Sequence, residues 1–234
     1  MDVSEAINQK TIIDALVVLG HGVDGNGELT HGSMRRSEVA VHVADLLHPR
    51  IVVFSGGRSW RQVVASELPP VSEGQAMLEH AKIYSARKSN QPLSDKIDWE
   101  TEDESTSTVA NLANSSRLLN LQRGETLGLL SDDLHNLYNR VAYLGQLVFP
   151  KNKTLPLTFK TIFNQNEKDE ERRIAYATRF MMFGVRAGNI PAIMRRQRAL
   201  EAANIQLRKI GSSILRPAFS GSTGQTTAES PRNF

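Results

Sequence analysis

The sequence predicts an α/β protein, a doubly wound and mostly parallel sheet with C-terminal helices. Three observations predict it. Ala15 to Leu19 is a run of five apolar residues that stops at a glycine. It is too short for a helix and suits a strand covered on both faces. The plan of apolar run, small or acidic residues, then helical pattern recurs three times further on. Polar clusters stand at four strand ends: Gly20–Gly22, Ser55–Gly57, Glu102–Ser105 and Ser131–His135. Open parallel sheets bind ligands outside the strand carboxyl ends, at the switch in strand order, so the clusters predict one shared site.

Residues 1–13 read as a leading helix or arm. Strand one belongs inside the sheet, between strands two and four, because its apolar run needs cover on both sides. Gly20 to Gly25 matches G-x-G-x-x-G in form. In a dinucleotide fingerprint, however, the helix opens within the motif. Here Asn26-Gly27 adds another turn and the helical pattern starts near Ser33. The loop therefore reads as lining for some other anionic or sugar-like ligand. Residues 33–47 form a helix with Val39, Val43, Leu46 and Leu47 on one stripe, ended by His48-Pro49. Strand two is Ile51 to Phe54. Ser72 reads as an N-cap, with Ala76, Met77 and Ile83 turned inward behind it. Residues 86–96 form a polar connection.

A third strand near Lys96 to Trp99 leads into Glu102, and a helix follows to about Leu119. Strand four is Thr126 to Leu130. The next helix carries His135 and Arg140, and strand five lies in Leu155 to Phe159. Helices fill about 167–183 and 191–209. The expected domain is 1–160, with a helical extension over 161–212 packed on it. A disordered tail of Ser, Gly, Thr and Gln is expected over 213–234.

Composition narrows the function. Hydrophobic content of 40% and charged content of 23% are those of a soluble globular protein. With no cysteines, disulfides, thiolate metal sites and a cysteine nucleophile are excluded. No apolar run reaches the roughly 18 residues of a membrane span, and no signal peptide is visible, so the expected location is the cytoplasm. Net charge is +3, yet residues 167–234 hold 12 Lys+Arg against 6 Asp+Glu. That basic quarter reads as a solvated helical face. Its arginines lack a recognisable nucleic-acid motif, so nucleic acid is not the expected partner.

Several residues suit chemistry at the strand ends. Ser105, Thr108 and Asn111 fall within about 120° of one another on a helix, giving one polar face at its start. Glu102 stands at a strand end beside that face, placed to accept hydrogen bonds or move a proton. His135 follows another strand end, where a general acid/base or phosphate ligand is useful, and His21 can face the same cleft. Gly20, Gly22, Gly56 and Gly57 read equally as turns or as ligand contacts. Ser72-Glu73 reads equally as a helix start favoured by the dipole or as part of the site. Asp24, Glu73, Glu102 and Asp132 are oxygen donors suited to Mg²⁺, but no spacing enforces a site, so no metal is expected. A G-x-S-x-G elbow is absent.

Over residues 14–146 the chain resembles the YdcF/SanA/ElyC-like family of bacterial domains. The resemblance rests on Leu19-Gly20-His21-Gly22 with a later Asn26-Gly27, Arg36 with Ala40, and Ser55-Gly56-Gly57. It continues in Ser72-Glu73 with Met77, and in Glu102-x-x-Ser105-x-x-Thr108-x-x-Asn111. The family's last block has Thr-Ser, two residues, His, two residues, Arg. This chain has Ser131, three residues, His135, four residues, Arg140. The resemblance implies a Rossmann-like fold and a nucleoside-type ligand, S-adenosylmethionine included. It implies ligand-binding roles for Arg36, Ser55, Glu73, Ser131 and Arg140. The expected function is binding of a nucleotide-like or phosphorylated small molecule, with Glu102 and His135 as the catalytic pair of an enzyme. The alternatives are a non-catalytic ligand-binding or regulatory protein, and a basic-surface module using the C-terminal helices. Oligomeric state is not legible.

Overall fold

In a computed structural model, which describes residues 1–23, 26, 28–58, 70–89, 92–161 and 165–215, five strands form one parallel sheet. The strands are β1 (Ala15–Leu19), β2 (Ile51–Ser55), β3 (Asp98–Glu102), β4 (Thr126–Asp132) and β5 (Lys153–Phe159). Their order is β3-β2-β1-β4-β5, so β1 lies inside, with β2 and β4 as its parallel neighbours. The doubly wound, parallel class predicted from the apolar runs is the fold observed, and it agrees with the Rossmann-like fold that the resemblance implies.

Alternation along β1 explains the two layers. Leu16 and Val18 point into a core shared with α1 (Val3–Asn8), α2 (His31–Leu47) and α3 (Glu73–Ser89), where Val39, Val43, Met77 and Ala81 are buried. Ala15, Val17 and Leu19 point the other way, onto α4 (Thr108–Leu119) and α5 (Arg140–Val148) through Val109, Leu112, Val141 and Leu144. All five β1 residues are fully buried, as a strand covered on both faces requires. Chain order crosses from one face to the other between β3 and β4, which puts the switch point at the β1–β4 seam.

α6 (Gln165–Met182) and the first part of α7 (Ile190–Leu215) add Met182 and Ile193 to the second core. The compact unit runs Met1–Arg198, and Ala199–Phe234 forms a second unit whose described part continues α7 to Leu215. Residues 213–215, expected in the tail, close α7, and the rest of the expected tail, from 216 onward, lies outside the described residues, as do Asp24, Gly25 and Gly27 of the first loop.

Several local expectations need correction. α2 starts two residues before Ser33, because Thr30 caps it and accepts the Ser33 N–H at 3.3 Å. Leu46 and Ile83 are exposed, although both were expected to face inward. α3 runs through Ser89, into the stretch expected as a polar connection. β3 begins at Asp98, two residues later than expected, since it is an edge strand whose charged alternation carries little apolar signal. His135 is not helical. It sits in a turn ahead of a short 3₁₀ segment, Leu137–Asn139, and the helix itself starts at Arg140.

One buried ion pair holds the seam. Arg36, on α2, is fully buried and donates to the carbonyls of Leu19 at 2.5 Å and Gly20 at 2.6 Å. Its other terminal nitrogen meets Asp132, the last residue of β4, at 2.5 Å. Burial pushes the Asp132 carboxyl up, but the charge and hydrogen bonds of Arg36 more than offset this and hold it below the usual range. Removing one partner of such a pair leaves an uncompensated buried charge. Asp132→Asn is therefore expected to destabilise the fold by about 3–5 kcal/mol in denaturant titrations. A loss below about 1 kcal/mol, the range of exposed pairs, would show that the pair is not structural.

Candidate functional site

The strand carboxyl ends open into a cleft of about 470 Å³. Its lining draws on Gly20–Val23, Gly56, Gly57, Glu73, Ser105–Thr108, Asn111, Leu134, His135 and Arg140, with Glu167, Glu171 and Ile174 from α6. Of the sequence-predicted residues, Gly20, His21, Gly22, Gly56, Gly57, Glu73, Ser105, Thr108, Asn111, His135 and Arg140 are thus brought together. Arg36, Ser55, Ser131 and Glu102 do not line it.

Glu102 is turned away from the cleft by its own hydrogen bonds. Its register partner on β2 is Ser55, whose hydroxyl donates to Oε2 at 2.8 Å. Oε1 accepts the Glu104 N–H and the Asn114 amide, each at 3.0 Å. The carboxylate is 4% exposed and braces the β3–α4 loop. It has no contact with His135, so the expected catalytic pair is not assembled. Ser131 is fully buried, and its hydroxyl donates to the Asp132 carbonyl.

The opening of α4 supplies the polar wall. Ser107 is its N-cap and accepts the Ala110 N–H at 3.3 Å. Ser105 accepts the Gly57 N–H at 3.2 Å, and Asn111 donates to the Ser55 carbonyl at 3.1 Å. These contacts tie the loops after β2 and β3 to one another.

His135 and Arg140 meet despite their wider spacing in sequence. Tyr138 and Asn139 adopt left-handed backbone, with φ of 60° and 54°, which turns Arg140 back beneath the histidine. Arg140 Nη2 and Thr108 Oγ1 both lie 3.1 Å from His135 Nε2. A guanidinium only donates, so Nε2 is the acceptor and the ring proton resides on Nδ1. Burial, followed by the charges of Arg140 and Arg36, holds the imidazole well below its ordinary value. His135 is therefore neutral near pH 7. The Asp132 carboxylate fixes its turn by accepting the His135 N–H at 2.7 Å.

Sequence reasoning missed Glu171, along with Val23, Thr106, Ser107, Leu134, Glu167 and Ile174 of the lining. Glu171 Oε1 lies 2.5 Å from Arg140 Nε, and Oε2 accepts from Nη2 at 3.2 Å. Burial raises its carboxyl to about 7, with Arg140 offsetting part of the rise. A carboxyl titrating there, inside a cleft, is placed to exchange a proton at neutral pH. The run from Glu167 to Arg173 looks like a solvated charged face. The available signal is periodic: Glu171, Ala175, Thr178 and Met182 are buried at helical spacing, and Glu171 is the charged member of that stripe.

Glu73 occupies the first loop. Its Oε1 accepts from the His21 N–H at 2.5 Å, the Ser33 hydroxyl at 2.5 Å and the Gly22 N–H. Hydrogen bonds to a charged group contribute roughly 1.5–3 kcal/mol each. Gly22 reaches this arrangement with φ of +128°, which side-chain-bearing residues rarely adopt. A Cβ at Gly20 would lie 2.2 Å from the Glu73 carboxyl, and one at Gly56 would lie 2.7 Å from it. Those two glycines leave room for the carboxylate.

Among the described residues, no group of three His, Cys, Asp or Glu side chains is placed to hold a metal ion. No helix there is long and apolar enough to cross a membrane. No protein-family model, curated protein or solved structure matches the chain.

Two of the titrating cleft groups, His135 and Glu171, act on stability in opposite senses. His135 has a folded value below its ordinary 6.5, so the unfolded chain takes up a proton that the fold refuses. Its contribution is full above about pH 6.5 and is lost as pH falls below that. Glu171 is raised from 4.5 to about 7, so its ionisation weakens the fold above about 7, and that cost is relieved as pH falls towards 4.5. Denaturant titrations across this range should show His135→Gln flattening the acid-side loss and Glu171→Gln steepening it. The same pH slope in all three proteins would contradict both assignments.

Proposed function

We propose that the chain binds a nucleotide-like or phosphorylated small molecule in the cleft at the strand carboxyl ends. The observation that carries this reading is the convergence of Arg140, the hydroxyl-rich start of α4 from Ser105 to Thr108, and Asn111 on one wall. A guanidinium beside a helix N-terminus favours an anionic group, and the hydroxyls and amide suit a sugar or base. The resemblance to the YdcF/SanA/ElyC-like family supports a nucleoside-type ligand, with S-adenosylmethionine among the candidates. In an enzyme, proton transfer falls to Glu171, since Glu102 is committed to Ser55, Glu104 and Asn114. In a binding or regulatory protein, the same cleft works without it.

A thermal-shift screen against ATP, ADP, AMP, S-adenosylmethionine, ribose 5-phosphate and glucose 6-phosphate tests this. A ligand at 100 times its Kd should stabilise by about 2.7 kcal/mol, or about 5–10 °C for a chain of this size. Thr108→Val should cut that shift. No stabilisation across the set, or a shift that Thr108→Val leaves intact, would reject the reading.

A second reading has its own observation. From Arg172 to Arg198 the chain has seven arginines and no Asp or Glu. In that span Tyr176, Phe180 and Phe183 are 59%, 80% and 82% exposed. Exposed aromatics among arginines are the ingredients of a stacking surface for single-stranded nucleic acid. Fluorescence anisotropy with a labelled single strand should then show affinity falling steeply with salt. An absence of binding at low salt would retire this alternative.

A further inference from the structure

We infer that Glu73 is a specificity-determining residue. It is a resident carboxylate that fills the anion seat of the first loop, so the ligand group meeting that end of the cleft is a hydrogen-bond donor such as a hydroxyl or amine, not a phosphate. This deepens the proposed function and rests on the cleft being the ligand site.

The seat has the construction of a phosphate loop. It lies at the carboxyl end of the central strand β1, beside the switch in strand order. Successive backbone N–H groups, from His21 and Gly22, converge on one point, and the Ser33 hydroxyl in the first turn of α2 joins them. Successive N–H groups of this kind form a concavity for an anion. In this chain the anion is supplied from within. All three donors end on Oε1 of Glu73.

The arrangement is built in rather than incidental. Glu73 is the first residue of α3, and the next residue, Gly74, donates its N–H to the Gly56 carbonyl at 2.6 Å. The helix start is thereby fastened to the end of β2, next to β1. Glu73 is 7% exposed, and Gly20 and Gly56 both lack the Cβ that would collide with its carboxyl. A phosphate could enter the seat only by evicting a carboxylate already bonded to every donor there. One left beside it would face a like charge. A hydroxyl or amine would instead find an acceptor. The cleft thus carries both signs, with the Glu73 carboxylate in the loop after β1 and the Arg140 guanidinium at the start of α5. The ligand class that fits is a polyhydroxylated or amine-bearing molecule whose anionic group is carried at its opposite end.

The test uses inorganic phosphate as probe on the full chain. In wild-type ¹H–¹⁵N spectra, phosphate should leave the His21 and Gly22 amide resonances unmoved. Glu73→Ala empties the seat and should bind phosphate at least tenfold more tightly than wild type, with the His21 and Gly22 amides shifting. Glu73→Gln keeps an acceptor oxygen in the seat and should gain no such binding. Movement of the two amides in wild type would overturn the proposal without recourse to any variant. So would an Ala variant that folds but gains nothing, or equal gains in the Ala and Gln variants. Failure of the proposed function reads out elsewhere, as an absence of stabilisation by nucleotides and sugar phosphates whatever phosphate does at the seat.

Discussion

Arg36 is enclosed on every side, and its guanidinium joins the three groups that define the site's floor. Two are the carbonyls where β1 ends, at Leu19 and Gly20, and the third is the carboxylate where β4 ends, at Asp132. Strand ends in a parallel sheet leave outward carbonyls that need donors. A fixed cation from α2 meets that need. The pairing then propagates. Asp132 uses its second oxygen to hold the His135 N–H, His135 orients Thr108 and Arg140, and Arg140 draws in Glu171 from α6. Elements far apart in the chain thereby share one connected set of charges.

That connection explains why the cleft is electrostatically mixed. Within a short span it holds a neutral histidine, a guanidinium, a carboxyl near neutrality and a carboxylate locked into backbone amides. Burial alone would push Asp132 and Glu171 the same way. They diverge because Asp132 has Arg36, a backbone N–H and close hydrogen bonds, whereas Glu171 shares Arg140 with His135. Two carboxyls with different partners are how one site separates a permanent charge from a titratable one.

The long apolar runs made the architecture legible. Leu16 to Leu19 and Ile51 to Phe54 cannot be half-solvated, so strands covered on both faces, and a parallel sheet, follow from composition and period. Polar clusters at the strand ends predicted one shared site, and eleven of the fifteen residues singled out line one cleft. Edge features were less legible. β3 carries the polar alternation of an exposed strand, and the helical stripes over-assigned Leu46 and Ile83 to the interior, because a stripe defines a face without saying how far its neighbours reach.

By itself, then, the sequence determined the fold class, the interior place of β1 and the edge at which polar residues gather. These depend on hydrophobic period and strand-end chemistry, which are local properties of the chain. Tertiary structure decided which of those residues share a cavity and what each one faces. Glu73 opens a helix and Glu102 closes a strand, and local pattern offers both carboxylates to the site on equal terms. One turns to Ser55 and Asn114 as a brace, and the other enters the loop after β1. Glu171 lies in a charged run that resembles solvent-facing helix until α6 packs and leaves it against Arg140. A side chain's role in a buried polar network is set by partners distant in sequence, because hydrogen bonds and ion pairs act only over a few ångströms, and only folding brings those partners within reach.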